Sequence, residues 1–143
     1  MSIRADILCS ASKDGSIQAW NMAQKCKLFD CKHPKAVHCI LISGVYLISS
    51  GMDGTLRLWS IPNGDEVRKL RFNQLCENFD MNRDRSRIAI SHGNSVTLRS
   101  FQDNDQVKQF DFENWVNDVR FSPDGTKVAV GLLSGAVFLI EML

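Results

Sequence analysis

Apolar and polar residues alternate along most of the chain, which is the pattern of β-strands with one buried face. Residues 55–59 read Thr-Leu-Arg-Leu-Trp and show this alternation without interruption. Asp-Gly pairs at 14–15 and 53–54 each separate two such runs. Asp-Gly favours a tight hairpin, because Gly accepts the positive φ that such turns require. No long segment has the spacing of an amphipathic helix, so the pattern predicts an all-β chain.

The same pattern returns every 39–41 residues. Residues 7–21 resemble residues 46–60, and the tryptophans near the ends of these segments, Trp20 and Trp59, are 39 positions apart. A repeat of this length predicts one small antiparallel sheet per unit, stacked on its neighbours. Two weaker copies follow, at residues 88–100 and 128–141.

Strands are predicted in each of the four units, three in the first and last and four in the others. The first unit has strands at 7–11, 16–20 and 26–29, and the second at 37–42, 46–50, 55–60 and 67–72. The third has strands at 76–81, 87–91, 95–100 and 106–110, and the fourth at 116–121, 127–131 and 136–141.

The repeated unit resembles the WD40 repeat. The second copy carries His33, Ser50, Asp53 and Trp59 in the order of that family's structural tetrad. The resemblance implies that these four side chains form a buried hydrogen-bond chain between a turn and a strand. Such a network stabilises a fold only when every member is satisfied. The other copies keep fewer of these residues, and no copy has the Trp-Asp dipeptide itself.

The resemblance implies an all-β fold: a WD40-type β-propeller segment of four-stranded antiparallel blades in an incomplete ring. We expect a single partial propeller, because four repeats of this kind are few for a closed ring. This is the pattern of a fragment, an isoform, or a half-propeller that pairs with itself or with another propeller segment. The expected blades are 1–30, lacking its first strand; 31–72; 73–110, degenerate; and 111–143, lacking its last strand.

Charge and composition exclude several classes of function. The 143 residues contain 17 Lys and Arg against 16 Asp and Glu, which gives a net charge of +1. Nucleic acid is therefore disfavoured as a partner, since binding by bulk electrostatics needs a basic excess. No apolar run reaches the length of a membrane span, so no membrane partner is expected. Five cysteines without a secretion signal indicate reduced thiols and an intracellular protein, cytoplasmic and/or nuclear.

Two constellations suggest chemistry, and both have a structural explanation. Ser50, His33 and Asp53 are the residue types of a hydrolase triad, but no Gly-x-Ser-x-Gly turn surrounds the serine and the tetrad accounts for all three. A cluster of cysteines and histidines lacks the paired spacing that zinc sites use. We therefore predict no enzyme activity, no catalytic residue, no metal and no cofactor. The cluster is Cys26, Cys31, His33, His38 and Cys39.

The remaining candidate chemistry lies on the surface. In the WD40 family, partners bind loops near the start of each first strand and the residue before the turn aspartate. Trp115 is the leading candidate among these positions, because exposed tryptophans often dominate binding, although packing between blades is the alternative. The positions implied here are Lys13, Ala36, His38, Met52, Leu75, Glu77, His92, Trp115, Asn117 and Leu133.

These features predict a non-catalytic scaffold that binds other proteins or peptides through propeller loops within a larger complex. Residues 67–110 also resemble the middle blades of the serine-threonine kinase receptor-associated protein family, which acts in TGF-β receptor signalling and in the SMN complex. That resemblance implies an alternative, a propeller subunit of a ribonucleoprotein-assembly or receptor-signalling complex. A second alternative is a truncated fragment of a longer propeller with no independent function.

Overall fold

The computed structural model describes residues 2–101 and 107–142 and, for residues 2–4, the backbone alone. Within these residues the chain forms 15 β-strands and no helix. The strands make three four-stranded sheets and one three-stranded sheet, and in each sheet successive strands are antiparallel neighbours. The all-β prediction is therefore confirmed.

The chain divides into two compact units, Met1–Leu75 and Cys76–Leu143. The first unit contains two sheets. Its strands are β1 (Ser2–Arg4), β2 (Ile7–Ala11), β3 (Ser16–Asn21), β4 (Cys26–Lys32), β5 (Val37–Ser43), β6 (Tyr46–Gly51), β7 (Thr55–Ser60) and β8 (Glu66–Arg71).

The second unit also contains two sheets, and the ends of its strands lie within one residue of the predicted positions. Of the predicted strand 106–110, Gln106 lies outside the described residues. The strands are β9 (Cys76–Met81), β10 (Arg87–His92), β11 (Ser95–Ser100), β12 (Val107–Asp111), β13 (Val116–Phe121), β14 (Lys127–Leu132) and β15 (Val137–Glu141).

The first sheet corrects one expectation, since it does not lack its first strand. Strand β1 pairs antiparallel with β2, with Ser2 opposite Cys9 and Arg4 opposite Ile7. Between them the chain turns at Ala5, which has a φ of 49°. A three-residue strand is too short to show an alternating pattern, and no Asp-Gly or Asn-Gly pair announces this hairpin.

Each unit has its own hydrophobic core between its two sheets. In the first unit, Ile17 and Ala19 of β3 pack with Ile40 and Ile42 of β5 and with Trp59. In the second unit the core consists mainly of valines, and its members on β11 and β14 are alternate residues, as expected for strands with one buried face. Its buried members are Ala89, Val96, Leu98, Val116, Val119, Val128, Val130 and Leu132.

Polar contacts also join the first strands of the two sheets in the second unit. The Asn78 side-chain amide donates to the Asp118 carboxylate over 2.5 Å. The backbone N–H of Phe121 donates to the Asp80 carboxylate over 2.8 Å. These bonds and the valine core fix β9 against β13, so the loops that precede both strands are held on a common support.

Candidate interaction surface and the hydrogen-bond network beneath it

A buried chain of hydrogen bonds links two strands of the second sheet to the segment that follows β4. The indole Nε1 of Trp59 donates to Ser49 Oγ over 2.8 Å, and Ser49 Oγ lies 2.7 Å from His33 Nε2. His33 Nδ1 in turn lies 3.3 Å from Asp53 Oδ1. Trp59, Ser49 and His33 are all buried. The chain therefore connects β7 through β6 to the segment after β4 and to the β6–β7 turn.

The partners in this hydrogen-bond chain place a proton on His33 Nδ1, and burial favours the neutral ring. Indole N–H can only donate and an ionised carboxylate can only accept, so His33 Nδ1 carries the proton that is donated to Asp53. The Ser49 hydroxyl, which already accepts from Trp59, then donates its own proton to His33 Nε2. Burial lowers the pKa of His33, and the nearby Asp53 carboxylate only partly opposes this. The neutral imidazole that the chain needs is thus also the favoured form.

The network continues from Asp53 into an ion-pair cluster around the buried Arg57. Arg57, only 8% exposed, donates to Asp53 Oδ2 over 2.8 Å, to Glu66 Oε2 over 2.7 Å and to Thr55 Oγ1 over 3.0 Å. Thr55 also donates its hydroxyl to Asp53 Oδ1 over 2.7 Å. Burial alone would raise the pKa of Asp53, but the hydrogen bonds from Thr55 and Arg57 outweigh it and hold the pKa below its ordinary value.

The serine that joins His33 to Trp59 is Ser49, not Ser50 as expected from the sequence. Trp59 lies opposite Leu47 in the β6–β7 register, and Arg57 lies opposite Ser49. Because alternate residues of a strand share a face, Ser49 points to the same side as Trp59, whereas Ser50 points to the other. The Ser50 hydroxyl is buried without a hydrogen-bond partner. Ser50, His33 and Asp53 therefore do not form a triad.

Sequence reasoning also missed Thr55, Arg57 and Glu66. The signal was available for two of them, because Asp53, Thr55, Arg57 and Trp59 are all at odd positions and so occupy one face of the hairpin. Glu66 had no such signal, since its contact with Arg57 depends on the pairing of β8 with β7, where a bulge shifts the register beside Trp59.

The third repeat has a contact between a histidine and a threonine in place of this network. His92 Nε2 lies 2.7 Å from Thr97 Oγ1, and His92 is 8% exposed. Burial lowers the pKa of His92. His92 was expected on the partner-binding surface, and its burial is a correction: the side chain lies within the β10–β11 hairpin. Its place on that surface was implied by the WD40 resemblance, which does not show whether a side chain at the end of a strand folds inward.

Backbone hydrogen bonds hold the expected surface loops side by side in each unit. In the first unit, Met52 N–H donates to Ala36 C=O over 2.9 Å, and Val37 N–H donates to Ser12 C=O over 3.2 Å. In the second unit, Leu133 N–H donates to Trp115 C=O over 2.8 Å. The turn between the second and third strands of a sheet is thus fixed beside the start of a first strand.

The first strands of three repeats share a β-bulge at an equivalent position. Val37 pairs with Gly51 and Cys39 with Ser50, which makes His38 the extra residue. In the second unit, Glu77 is the extra residue of β9 and Asn117 that of β13. A bulge bends the strand and changes the direction of its side chains, and bulges are frequent beside functional sites. All three residues were among the candidates taken from the sequence.

The other expected surface residues differ in exposure. Met52 is 38% exposed, Trp115 36% and Leu133 69%, while Ala36, Leu75 and Glu77 are half-buried. Lys13, His38 and Asn117 are exposed. We use "loop surface" for the exposed or half-buried candidates of each unit at these strand ends. They are Lys13, Ala36, His38, Met52 and Leu75 in the first unit, and Glu77, Trp115, Asn117 and Leu133 in the second.

Comparison with known proteins decides the family. A sequence profile described as "WD domain, G-beta repeat" matches residues 24–60 and 95–140, more than half of the chain. The chain belongs to the WD40 repeat family. WD40 repeats generally mediate protein–protein interactions. The weaker resemblance of residues 67–110 to the serine-threonine kinase receptor-associated protein family stays a prediction.

Curated WD40 relatives are much longer than this chain. Ribosome biogenesis protein YTM1 of Candida glabrata is 31% identical over 111 residues, which are 75% of this chain and 24% of that protein. WD repeat and HMG-box DNA-binding protein 1 of Xenopus laevis is 29% identical over 106 residues, 73% of this chain and 9% of that protein. The YTM1 protein of Eremothecium gossypii is 36% identical over 66 residues, 15% of its length.

Two solved structures share the fold of this chain at low sequence identity. The computationally designed Ika4 protein matches with a TM-score of 0.85, covering 99% of this chain and 89% of that chain at 18% identity. The designed Ika8 protein matches with the same TM-score over 98% of this chain and 44% of its own. These likenesses concern the fold alone. Within residues 2–101 and 107–142, no helix is long and apolar enough to cross a membrane.

Proposed function

We propose that this chain is a non-catalytic interaction scaffold whose loop surface binds a protein or peptide partner. The observation that carries the proposal is the repeated bulge at His38, Glu77 and Asn117. An irregularity placed at the same point of three first strands turns three polar side chains out of the regular ladder, next to loops that backbone bonds hold in place. A pre-organised surface loses little entropy when it binds.

The chemistry of the loop surface suits a mixed polar and apolar contact. Met52, Trp115 and Leu133 contribute apolar area, and the three bulge residues contribute a histidine, a carboxylate and an amide. Protein interfaces commonly combine such apolar anchors with hydrogen-bonding groups at their rim. We infer that Trp115 and Leu133, whose backbones are joined by a hydrogen bond, act as the anchors in the second unit.

The proposal includes the absence of catalysis. His33 and Arg57 are buried and both contact the half-buried Asp53, so these ionisable groups support the fold rather than face a substrate. The similarity to YTM1 favours, as a second candidate, a subunit of an intracellular assembly such as one in ribosome biogenesis. Cosedimentation of the tagged chain with pre-ribosomal particles in a sucrose gradient would test that candidate.

The test of the main proposal compares two pairs of equivalent substitutions in the full chain. Met52→Ser with Leu133→Ser changes the loop surface. Met22→Ser with Val45→Ser changes two similarly exposed apolar residues, 54% and 61% exposed, in turns at the opposite strand ends of the first unit. Each variant is used for affinity capture from cell extract with quantitative mass spectrometry, and captured proteins are then purified and titrated directly.

We expect proteins captured by the unchanged chain to be lost with the loop-surface pair and kept with the control pair. Circular dichroism establishes that both variants are folded before capture. Equal capture by all three chains, or equal loss from both variants, would contradict the proposal, because binding would then not depend on the loop surface.

A further inference from the structure

A second candidate site is a cavity of about 80 Å³ between the two sheets of the second unit. It lies where β10 and β12 begin and β11 and β15 end, which is the opposite end of the strands from the loop surface. Its polar lining includes Arg87, Ser100 and Lys108, and its apolar lining includes Leu98, Phe110 and Met142.

Strand register explains why charge and apolar surface meet here. Arg87 lies opposite Ser100, and Leu98 lies between Ala89 and Lys108 in neighbouring strands. Residues directly opposite each other, and alternate residues along a strand, share a face. This is the face that buries Ala89 and Leu98 in the core. The cavity is therefore the outer continuation of the core, with cations at its rim.

The equivalent place in the first unit is closed by apolar side chains. The pair Ile7 and Asn21 occupies the register position of Arg87 and Ser100, and Phe29, opposite Ala19, occupies that of Lys108. Ile7 packs against the core there, and Phe29 is 7% exposed. Phe29 is so closely packed that a Cβ added to Gly64 would lie 2.7 Å from its ring.

The open, cationic cavity is thus not a general consequence of this repeat. At two positions where the first unit has Ile and Phe, the second has Arg and Lys. Exchanging buried apolar residues for cations removes core contacts, so the exchange has no evident benefit for packing. It does create a recess that combines positive charge with an apolar floor.

The charge of the lining is predominantly positive. Arg87 and Lys108 contribute the cations on this face, and Glu141 contributes a carboxylate. Glu141 lies 3.7 Å from Lys127, which offsets its charge, and Asp84 interacts electrostatically with Arg87. Among residues 2–101 and 107–142, no carboxylate forms an ion pair within 4.0 Å of the Arg87 or Lys108 side chain.

We propose that this cavity binds an acidic peptide segment, with one aliphatic side chain in the cavity and flanking carboxylates at Arg87 and Lys108. Sites for small-molecule ligands usually have volumes of about 300–1,000 Å³, so this cavity is small for a cofactor and suits one side chain of a longer ligand. Inorganic phosphate or a nucleic-acid backbone would leave the apolar floor uncovered. The net charge of +1 also disfavours a polyanion.

The experiment measures fluorescence anisotropy of a labelled peptide, Asp-Glu-Leu-Glu-Asp, titrated with the full chain up to about 1 mM, a range that includes weak binding. A peptide with Ser in place of Leu tests the apolar recess. Arg87→Glu and Lys108→Glu test the cations. Arg83→Glu is the matched control, because it makes the same charge change at an exposed turn residue close in sequence to Arg87.

We expect Arg87→Glu and Lys108→Glu each to weaken binding at least about tenfold, and Arg83→Glu less than about threefold. The Ser peptide should bind at least about tenfold more weakly than the Leu peptide. If a charge reversal prevents folding, as judged by circular dichroism, Arg87→Met and Lys108→Met replace it.

Four results would overturn the proposal: no binding, equal effects of all three charge reversals, equal affinity for both peptides, or tighter binding of a single-stranded RNA oligonucleotide. Met52→Ser with Leu133→Ser should leave peptide affinity unchanged. That result separates this site from the loop surface, so either proposal can fail without the other.

Discussion

The indole N–H of Trp59 donates to Ser49 Oγ over 2.8 Å, across the paired strands β6 and β7. The same oxygen lies 2.7 Å from His33 Nε2, so one hydroxyl joins two buried ring nitrogens that would otherwise each lack a partner. An unpaired polar group in a protein interior is costly. Loss of the Ser49 hydroxyl oxygen should therefore weaken the network more than the loss of any other single atom.

Ser49→Ala should destabilise the chain, whereas Ser50→Ala should not. The first change leaves the indole N–H and the imidazole nitrogen without partners, at about 1–3 kcal/mol for each buried group. The second removes a hydroxyl that has no partner, so its effect should stay within about 0.5 kcal/mol. Urea unfolding followed by tryptophan fluorescence measures both. Equal destabilisation by the two variants would mean that the parity argument is wrong.

Arg57→Lys should weaken the first unit although the charge is kept. A lysine ammonium cannot reproduce the forked donation to Asp53 and Glu66 together with the bond from Nε to Thr55. We expect a loss of about 1–3 kcal/mol in the free energy of unfolding. Arg71→Lys, at an exposed residue of β8, is the control and should change it by less than about 0.5 kcal/mol. A similar loss in the free energy of unfolding for both substitutions would mean that the ion-pair cluster around Arg57 does not contribute more than an exposed arginine.

Gly15→Ala should be more destabilising than Gly135→Ala. Both glycines have positive φ, 88° and 90°, so an alanine at either position carries the backbone strain of about 1–2 kcal/mol. Only at Gly15 would the added Cβ also overlap the His33 carbonyl oxygen, since Gly135 has open space around it. The difference between the two urea midpoints reports that overlap. Indistinguishable midpoints would mean that the turn moves away freely.

Stability should fall as the pH is lowered through the range in which histidine protonates. Burial lowers the pKa of both His33 and His92 in the folded chain, so between the folded and unfolded pKa values the unfolded chain binds more protons. The stabilisation is therefore complete above about pH 6.5 and is lost below it, by at most about 1.4 kcal/mol per histidine per pH unit. Urea midpoints from about pH 7.5 to 5.5 measure this dependence.

His33→Gln and His92→Gln provide the comparison for this pH dependence. Each should reduce the slope of stability against pH in that range, because each removes one group whose pKa is lowered by burial. A lowered pKa of Asp53 adds a further loss, but only below its ordinary value of about 3.8 and thus outside the range measured. An unchanged slope in both variants would contradict the prediction.

Cys26 should react with iodoacetamide well before Cys9 and Cys31 at about pH 8, near the ordinary thiol pKa. Burial raises the pKa of Cys9 to about 11 and that of Cys31 to about 12, so almost none of either thiol is ionised. Cys26 is exposed at the start of β4. Intact-mass measurement with peptide mapping gives the order, and urea should remove the difference. Labelling of Cys31 as fast as Cys26 would contradict the packing of Cys31 against the core.

Much of the fold follows from local pattern. Strands β5, β7, β9, β11 and β13 begin where the alternating residues begin, because a strand with one buried face must alternate. The Asp-Gly pair before Thr55 supplies a glycine with a φ of 71° at the turn, as its sequence predicts. Strand β1 was not predicted by the same reasoning, because three residues are too few to show a period.

The candidate site was predicted less completely, for a reason that recurs. Spacing placed His38, Glu77 and Asn117 on the first strands, but spacing does not show that each is the extra residue of a bulge. It likewise placed His92 near a turn without showing that the ring folds inward to Thr97. Bulges and inward rotation depend on which residues lie opposite, and that information belongs to a pair of strands rather than to one.

By itself, the sequence determined the repeat, the strand period and the turn positions, because each depends on residues close together in the chain. Only the tertiary structure decided that Ser49 rather than Ser50 joins His33 to Trp59, and that Arg87 and Lys108 face one cavity while Ile7 and Phe29 close its counterpart. A shift of one residue in strand pairing sends a side chain to the opposite face. Those assignments therefore depend on register, which is set by the packing of whole strands.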